Sequence, residues 1–214
     1  LGADPRTALA VLRVTEPDGL VPAVFADVGA LAAGDRVLVV GGPRDPDTVR
    51  DARVRDLSVA VGGISTVQVD TAAPGGGVVG TADGELIGLV HSSVDVEGHE
   101  AINVVPADLI RRVADQVIAG GPVVHPYLGV VLTAAPDGGA VVQQVAEGSP
   151  AADAGLRPGD VLVRVGEVDV DDPDAVVARV QAATVGERLA VAYLRDGTEH
   201  EVTVTLAALP PDGS

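Results

Sequence analysis

Gly148-Ser149-Pro150-Ala151-Ala152-Asp153-Ala154-Gly155-Leu156-Arg157-Pro158-Gly159-Asp160-Val161-Leu162 is the stretch on which the reading of this chain turns. Its early residues form a short capped helix that packs Ala and Leu inward, Pro158-Gly159 turns the chain, and Asp160 opens an apolar strand at 161–165. Around this unit the pattern predicts strands at 128–132 and 140–145. A second helix is expected over 173–183, with Asp171 or Asp172 as N-cap, Pro173 near the first helical position and Asp174 favourable to the helix dipole. A hairpin pairing 189–194 with 201–206 across Asp196-Gly197 completes a small mixed domain at 127–207 with a five-stranded core and two helices. Residues 208–214 read as a tail, frayed from Pro210 to Ser214.

Upstream, short apolar runs at 9–14, 37–40, 58–61, 66–69, 78–79 and 86–90 are separated by turns such as Pro17-Asp18-Gly19, Gly41-Gly42-Pro43 and Asp83-Gly84. The spacing predicts a β barrel or sandwich. Within it, 9–14 is expected to be a buried strand and the charged stretch 44–56 an exposed ribbon. A helix over 106–119 carries Leu109, Ile110, Val113, Val117 and Ile118 on one stripe and ends at Gly120-Gly121. The breaker-rich segment 120–126 is the expected linker, giving a first domain at 1–119, the linker at 120–126 and the second domain at 127–207.

Composition narrows the chemistry. The 214 residues are 47% apolar, but Phe25, Tyr127 and Tyr193 are the only aromatics, so the core must be built from Val, Leu, Ile and Ala, which favours strands. The 14 basic residues, all Arg, face 31 acidic ones, for a formal charge of −17. Phosphate backbones and anionic lipid repel such a chain, so nucleic acid and membrane surfaces drop out as partners. Having no Lys excludes a P-loop lysine and Schiff-base chemistry; having no Cys excludes disulfides and thiolate sites. No run approaches the roughly 18 apolar residues of a membrane span. Leu1 is not an initiator Met, which points to a piece of a longer chain.

Tyr127-Leu128-Gly129-Val130 together with the 148–162 stretch resembles a bacterial PDZ domain of the kind found in HtrA/DegP-type proteases. The resemblance implies a groove between strand 130–132 and the helix after Pro173, which binds an extended C-terminal peptide by β-augmentation. In that scheme Leu128, Gly129 and Val130 form the carboxylate nest behind Tyr127, Val131 and Leu132 continue the strand, and Val176, Val177 and Val180 are either groove wall or core. The partners implied are protein C-termini or unfolded, extended peptides.

The first domain is similar to the later part of the trypsin-like protease domain of the same family. Asp4-Pro5-Arg6-Thr7-Ala8-Leu9-Ala10-Val11-Leu12-Arg13-Val14 matches the segment of the catalytic Asp, and Val67-Gln68-Val69-Asp70-Thr71-Ala72-Ala73 matches the approach to the nucleophile. Asp83-Gly84-Glu85-Leu86-Ile87-Gly88-Leu89 matches the strand beyond it. The implied fold is mainly β, a trypsin-like β-barrel portion followed by a PDZ domain. The family's acidic triad member stands between Thr7 and Leu9, where this chain has Ala8. Its Gly-Asn-Ser-Gly-Gly turn is replaced by Pro74-Gly75-Gly76-Gly77-Val78. Counting back from Asp83 puts Gly75 at the serine position with Gly76 beside it, whereas anchoring on Pro74 requires a two-residue deletion; both leave no hydroxyl. The family's His segment would lie upstream of Leu1. The resemblance therefore implies an inactive homologue, without catalytic residues or cofactor, acting as adaptor or sensor in the bacterial envelope. Membrane contact is expected only through an N-terminal anchor outside this sequence. Two rivals are an endopeptidase using an unaligned Ser and an oligomeric scaffold, since family members are often trimers.

Other constellations read as ordinary structure. His91, Asp95, Glu97, His99 and Glu100 carry metal-ligand chemistry but fall in a hairpin where a solvated polar loop is expected, so no metal is assigned. Asp169, Asp171, Asp172 and Asp174 lack the Gly and Glu of a calcium loop and are expected to cap a helix. His91 and Ser92, adjacent on a strand, are expected to point to opposite faces and so form no dyad.

Overall fold

A computed structural model describes residues 1–42, 47–72 and 76–210. The chain divides into two units, Leu1–Val123 and Val124–Ser214.

The first unit opens with a hairpin of β1 (Gly2–Asp4) and β2 (Leu9–Val11). Six strands then close into a barrel: β3 (Arg36–Gly41), β4 (Val49–Val61), β5 (Ile64–Asp70), β6 (Gly77–Gly80), β7 (Leu86–Val96) and β8 (His99–Pro106), in the order β3-β4-β5-β8-β7-β6. Side-chain alternation fills the interior with Val37 and Val39, Val67 and Val69, and Ile102 and Val104, all fully buried. Helix α1 (Ala107–Ile118) lays Leu109, Val113 and Val117 over Ile64 and Val105 on the barrel's outer face.

Three expectations about this unit need correction. The run at 9–14 is not a buried strand: pairing stops at Val11, and Leu12 and Val14 are 82% and 57% exposed. The stretch 44–56 is not an exposed ribbon, because from Val49 onward it is β4, with Ala52 and Val54 turned into the barrel while Val49, Asp51 and Arg53 stay outside. Residues 43–46 lie outside the described residues. Ile118 leaves the apolar stripe of α1 and is exposed, one residue past Val117 and therefore about 100° around the helix.

The second unit contains β9 (Pro126–Tyr127), β10 (Val130–Ala134), β11 (Ala140–Val145), α2 (Pro150–Asp153), β12 (Val161–Val165), β13 (Val168–Asp169), α3 (Pro173–Ala182), β14 (Arg188–Arg195), β15 (Thr198–Thr205) and β16 (Ala207–Ala208). The main sheet runs β10-β11-β12-β14-β15, with β13 on β12, and β9 pairs separately with β16. Its core gathers Leu128, Leu156, Leu162, Val176, Val191 and Leu206, each largely or wholly buried. Burial on that scale contributes roughly 1.5–3 kcal/mol per large aliphatic side chain. The 128–132 run is strand only from Val130, since Leu128 and Gly129 form the loop that leads into it.

The quoted 148–162 stretch folds as its chemistry dictates. Ser149 caps α2, its Oγ accepting from Ala152 N–H at 3.2 Å, and Pro150 opens the helix. At the other end Asp160 is 1% exposed. Its carboxylate accepts from Arg157 N–H at 2.7 Å and receives the Arg195 guanidinium in a fork, at 2.7 Å from Nε and 2.8 Å from Nη2. That pair fastens the 157–160 turn to β14.

Candidate functional site: an open strand edge and a glycine-rich turn

In the sheet order β10 lies at one end, so among the described residues one of its edges carries no partner strand. Helix α3 lies beside β9, β10 and β11. Asp172 caps that helix, accepting from Ala175 N–H at 2.9 Å.

Peptide-plane geometry fixes what the loop before β10 presents. The Leu128 carbonyl accepts from Ala151 N–H at 3.0 Å, and the Gly129 carbonyl from Ala146 N–H at 2.9 Å. In a trans peptide the next residue's N–H points opposite the carbonyl, and no cis bond occurs among the described residues. The N–H groups of Gly129 and Val130 are therefore aimed away from α2 and β11, toward the open side. Val130 faces Val145 across the ladder, flanked by the Ala146-to-Gly129 bond. That makes it a non-hydrogen-bonded pair, so Val130 turns both its N–H and its C=O to the free edge. Two adjacent outward amides form a concavity suited to a carboxylate, and the edge beyond them offers ladder positions to an added strand.

Gly129 makes the turn possible. Its φ is +90°, and a Cβ there would collide with Ser149 and stand 3.2 Å from the Tyr127 ring. Tyr127 is itself held in the ladder opposite Ala207. Ser149 Oγ also reaches the Gly129 carbonyl, at 3.4 Å. The sequence pattern left this link invisible, because it joins residues 20 positions apart.

The other candidate groove residues divide. Val130 and Leu132 are half-buried against the core, while Val131 is 53% exposed on the opposite side of the pleat. Val176, at 2% exposure, is a core residue, and Val180, one turn on, packs partly against the same core. Val177 is half-buried and off that face.

In the first unit the exposed Ala8 ends the turn between β1 and β2, with φ at +56°. An alanine in the left-handed region is strained, whereas Asp, Asn and Gly tolerate it. The turn is held by Asp4, 5% exposed, whose carboxylate accepts from the N–H groups of Arg6 and Thr7 and from the Thr7 hydroxyl. This carboxylate, absent from the candidates above, has a role in holding the turn; the Asp-x-x-Thr spacing is its signal. Gly75 lies outside the described residues. Gly76 and Gly77 have φ of +110° and +130°, and a Cβ on Gly77 would collide with the Val40 carbonyl oxygen where β3 and β6 meet.

His91 and Ser92 need a different argument from the one the alternation suggested. A register shift between Val90 and Ser92 makes His91 the extra residue of a bulge, so strict alternation fails there. The Ser92 hydroxyl instead accepts from Asn103 Nδ2 at 3.1 Å, and Asn103 in turn accepts from Gln68, while no hydrogen bond joins His91 to Ser92 among the described residues. No group of three or more His, Asp or Glu gathers as a metal site among the described residues.

Residues 126–206 match the PDZ domain family. Across 234 residues the chain is 31% identical to a probable periplasmic serine endoprotease DegP-like of Brucella suis, covering 99% of this chain and 45% of that protein. It is also 31% identical to serine protease PepD of Mycobacterium tuberculosis, covering 96% of this chain and 50% of that protein. The chain thus spans about half the length of the curated relatives it matches. Among solved structures, the HtrA-type protease AlgW with tripeptide superposes at a TM-score of 0.70 with 26% identity, covering 99% of this chain and 77% of that one. AlgW with decapeptide gives 0.68 and 25%, covering 98% and 71%. Barrel, PDZ match and relatives agree: the chain is a homologue of the HtrA/DegP-type serine proteases, a trypsin-like barrel followed by a PDZ domain.

Proposed function

We propose that this chain is a catalytically inactive HtrA-like protein whose PDZ domain binds the C-terminal ends of other proteins, as an adaptor or sensor outside the cytoplasm. The observation that carries the inactivity is the stretch 72–80, Ala-Ala-Pro-Gly-Gly-Gly-Val-Val-Gly, which contains no hydroxyl where the family's serine belongs, alongside Ala8 in place of the acidic member. Acyl transfer needs a nucleophile and a base oriented by a third group, and a methyl group at position 8 neither orients nor balances an imidazolium. The outward N–H groups of Gly129 and Val130 beside an unpaired strand edge support the peptide-binding half of the reading. The relatives named periplasmic support the location.

The carboxylate nest has a direct test. A peptide with a free C-terminus is expected to bind at least about tenfold more tightly than its C-amidated form, because hydrogen bonds to a charged acceptor contribute roughly 1.5–3 kcal/mol. Titration of both forms by fluorescence anisotropy reads the ratio. Equal affinity would show that the loop before β10 does not hold a carboxylate.

A further inference from the structure

Building on the peptide-binding reading above, we infer that the segment this groove takes is basic a few residues upstream of its C-terminus. The inference starts from where the groove leads. With the carboxylate at Gly129 and Val130, at the amino end of β10, an added strand must run antiparallel to β10. Its last residue then lies opposite Val130, and its fifth residue from the end lies opposite Ala134, about 13 Å along the edge at the usual strand rise. Residues further upstream emerge at the turn joining β10 to β11.

That exit is acidic. Asp137 stands exposed in the β10–β11 turn. The same turn is joined to the start of α3, since Gly139 N–H donates to the Asp171 carbonyl at 2.9 Å, which brings the run Asp171-Asp172 and Asp174 to the same end of the groove. Asp171 is exposed like Asp137, while Asp172 is committed to capping α3. The acidic residues are not themselves the site; they flank the path of the strand that the open edge receives.

The two walls are themselves poor in cations. Residues 126–139 and 169–178, which supply both walls, contain no Arg, and residues 124–214 hold fourteen Asp and Glu against five Arg. Three of the five are paired elsewhere, Arg164 with Glu201 at 3.2 Å, Arg179 with Glu187 at 2.8 Å and Arg195 with Asp160 at 2.7 Å. A peptide with upstream carboxylates would add like charge to a site already crowded with it. Upstream lysine or arginine side chains reach the exit carboxylates and raise both the rate of encounter and the affinity.

The test uses two pools of decapeptides with free C-termini, randomised at the last three positions and carrying either three lysines or three glutamates at the fifth to seventh positions from the end. At low ionic strength the lysine pool is expected to bind the chain about tenfold more tightly. At about 0.5 M salt, where the screening length falls to a few ångströms, that gap closes. The double variant Asp137→Asn/Asp171→Asn narrows the gap without weakening the glutamate pool, which a non-specific charge effect of the whole chain would not reproduce. Equal binding of the two pools overturns the basic preference and leaves carboxylate recognition standing. Binding by neither pool overturns both.

Discussion

Replacing Gly129 by valine is expected to abolish peptide binding and to cost the PDZ domain about 3 kcal/mol of stability. Two separate effects produce this. The backbone φ of +90° is one that a β-branched residue adopts only under strain, and the new Cβ has nowhere to go, since it would collide with Ser149 and crowd the Tyr127 ring. Relief requires the loop to swing, and that swing re-aims the N–H groups of Gly129 and Val130 on which the proposed carboxylate capture depends. For a domain of this size the loss corresponds to a fall in melting temperature on the order of 15 °C. Differential scanning calorimetry and peptide titration on the same variant measure both. A Gly129→Val chain that keeps its melting transition and its peptide affinity would remove the proposed loop geometry.

The second large effect concerns Asp160. Burial alone would push this carboxyl upward, but the Arg195 hydrogen bonds, the Arg157 N–H and the charges of both arginines outweigh it and hold the group below its ordinary value. A carboxyl whose folded pKa lies below its unfolded one contributes stability that is fully present above the unfolded value. That contribution is lost as pH falls through the folded value. The PDZ domain is therefore expected to hold steady down to about pH 5 and to weaken below about pH 4. Asp160→Ala strands Arg195 and the Arg157 N–H and is expected to cost roughly 2–4 kcal/mol, toward the lower end because Arg195 retains partial access to water. Urea unfolding at pH 7 and at pH 3.5 reads both effects, with the variant showing less acid sensitivity than the parent. A variant as stable as the parent at pH 7 would contradict the role given to the pair.

How much of this was legible in the sequence depended on the range of the interaction responsible. The five main PDZ strands and both of its helices follow from local patterns, down to Pro150 and Pro173 at the helix starts and the hairpin across Asp196-Gly197. Barrel strands such as β3 and β5 are equally plain because nearly every second residue is Val or Ile. The first half of β4 was misread because its outer face is charged and its inner face is small: Ala52 and Val54 between arginines look like a solvated ribbon until the barrel closes over them. Leu12 and Val14 misled in the opposite direction, since apolar character alone does not supply a covering surface. β13, β9 and β16 are two-residue pairings that no periodicity marks.

At the site, the loop 127–130 was readable by resemblance, but the direction of its amides was not. That direction is set by Ala146 and Ala151, which anchor the Gly129 and Leu128 carbonyls from other elements. The Asp160–Arg195 pair spans 35 residues and left no local trace. The left-handed backbone of Ala8 is likewise invisible in a string of letters, and it adds a physical observation to the substitution there: the turn keeps a conformation that suits Asp, Asn or Gly better than the alanine it holds.

The proposed inactivity of the protease-like barrel is tested most directly by treating the longest native form of the protein with a fluorophosphonate, which marks an activated serine regardless of substrate preference, and measuring its intact mass beside an active HtrA protease. The account predicts an unmodified mass for this protein and a stoichiometric adduct on the control. A stoichiometric adduct on this protein would contradict the account, and peptide mapping of the labelled residue would then locate the nucleophile.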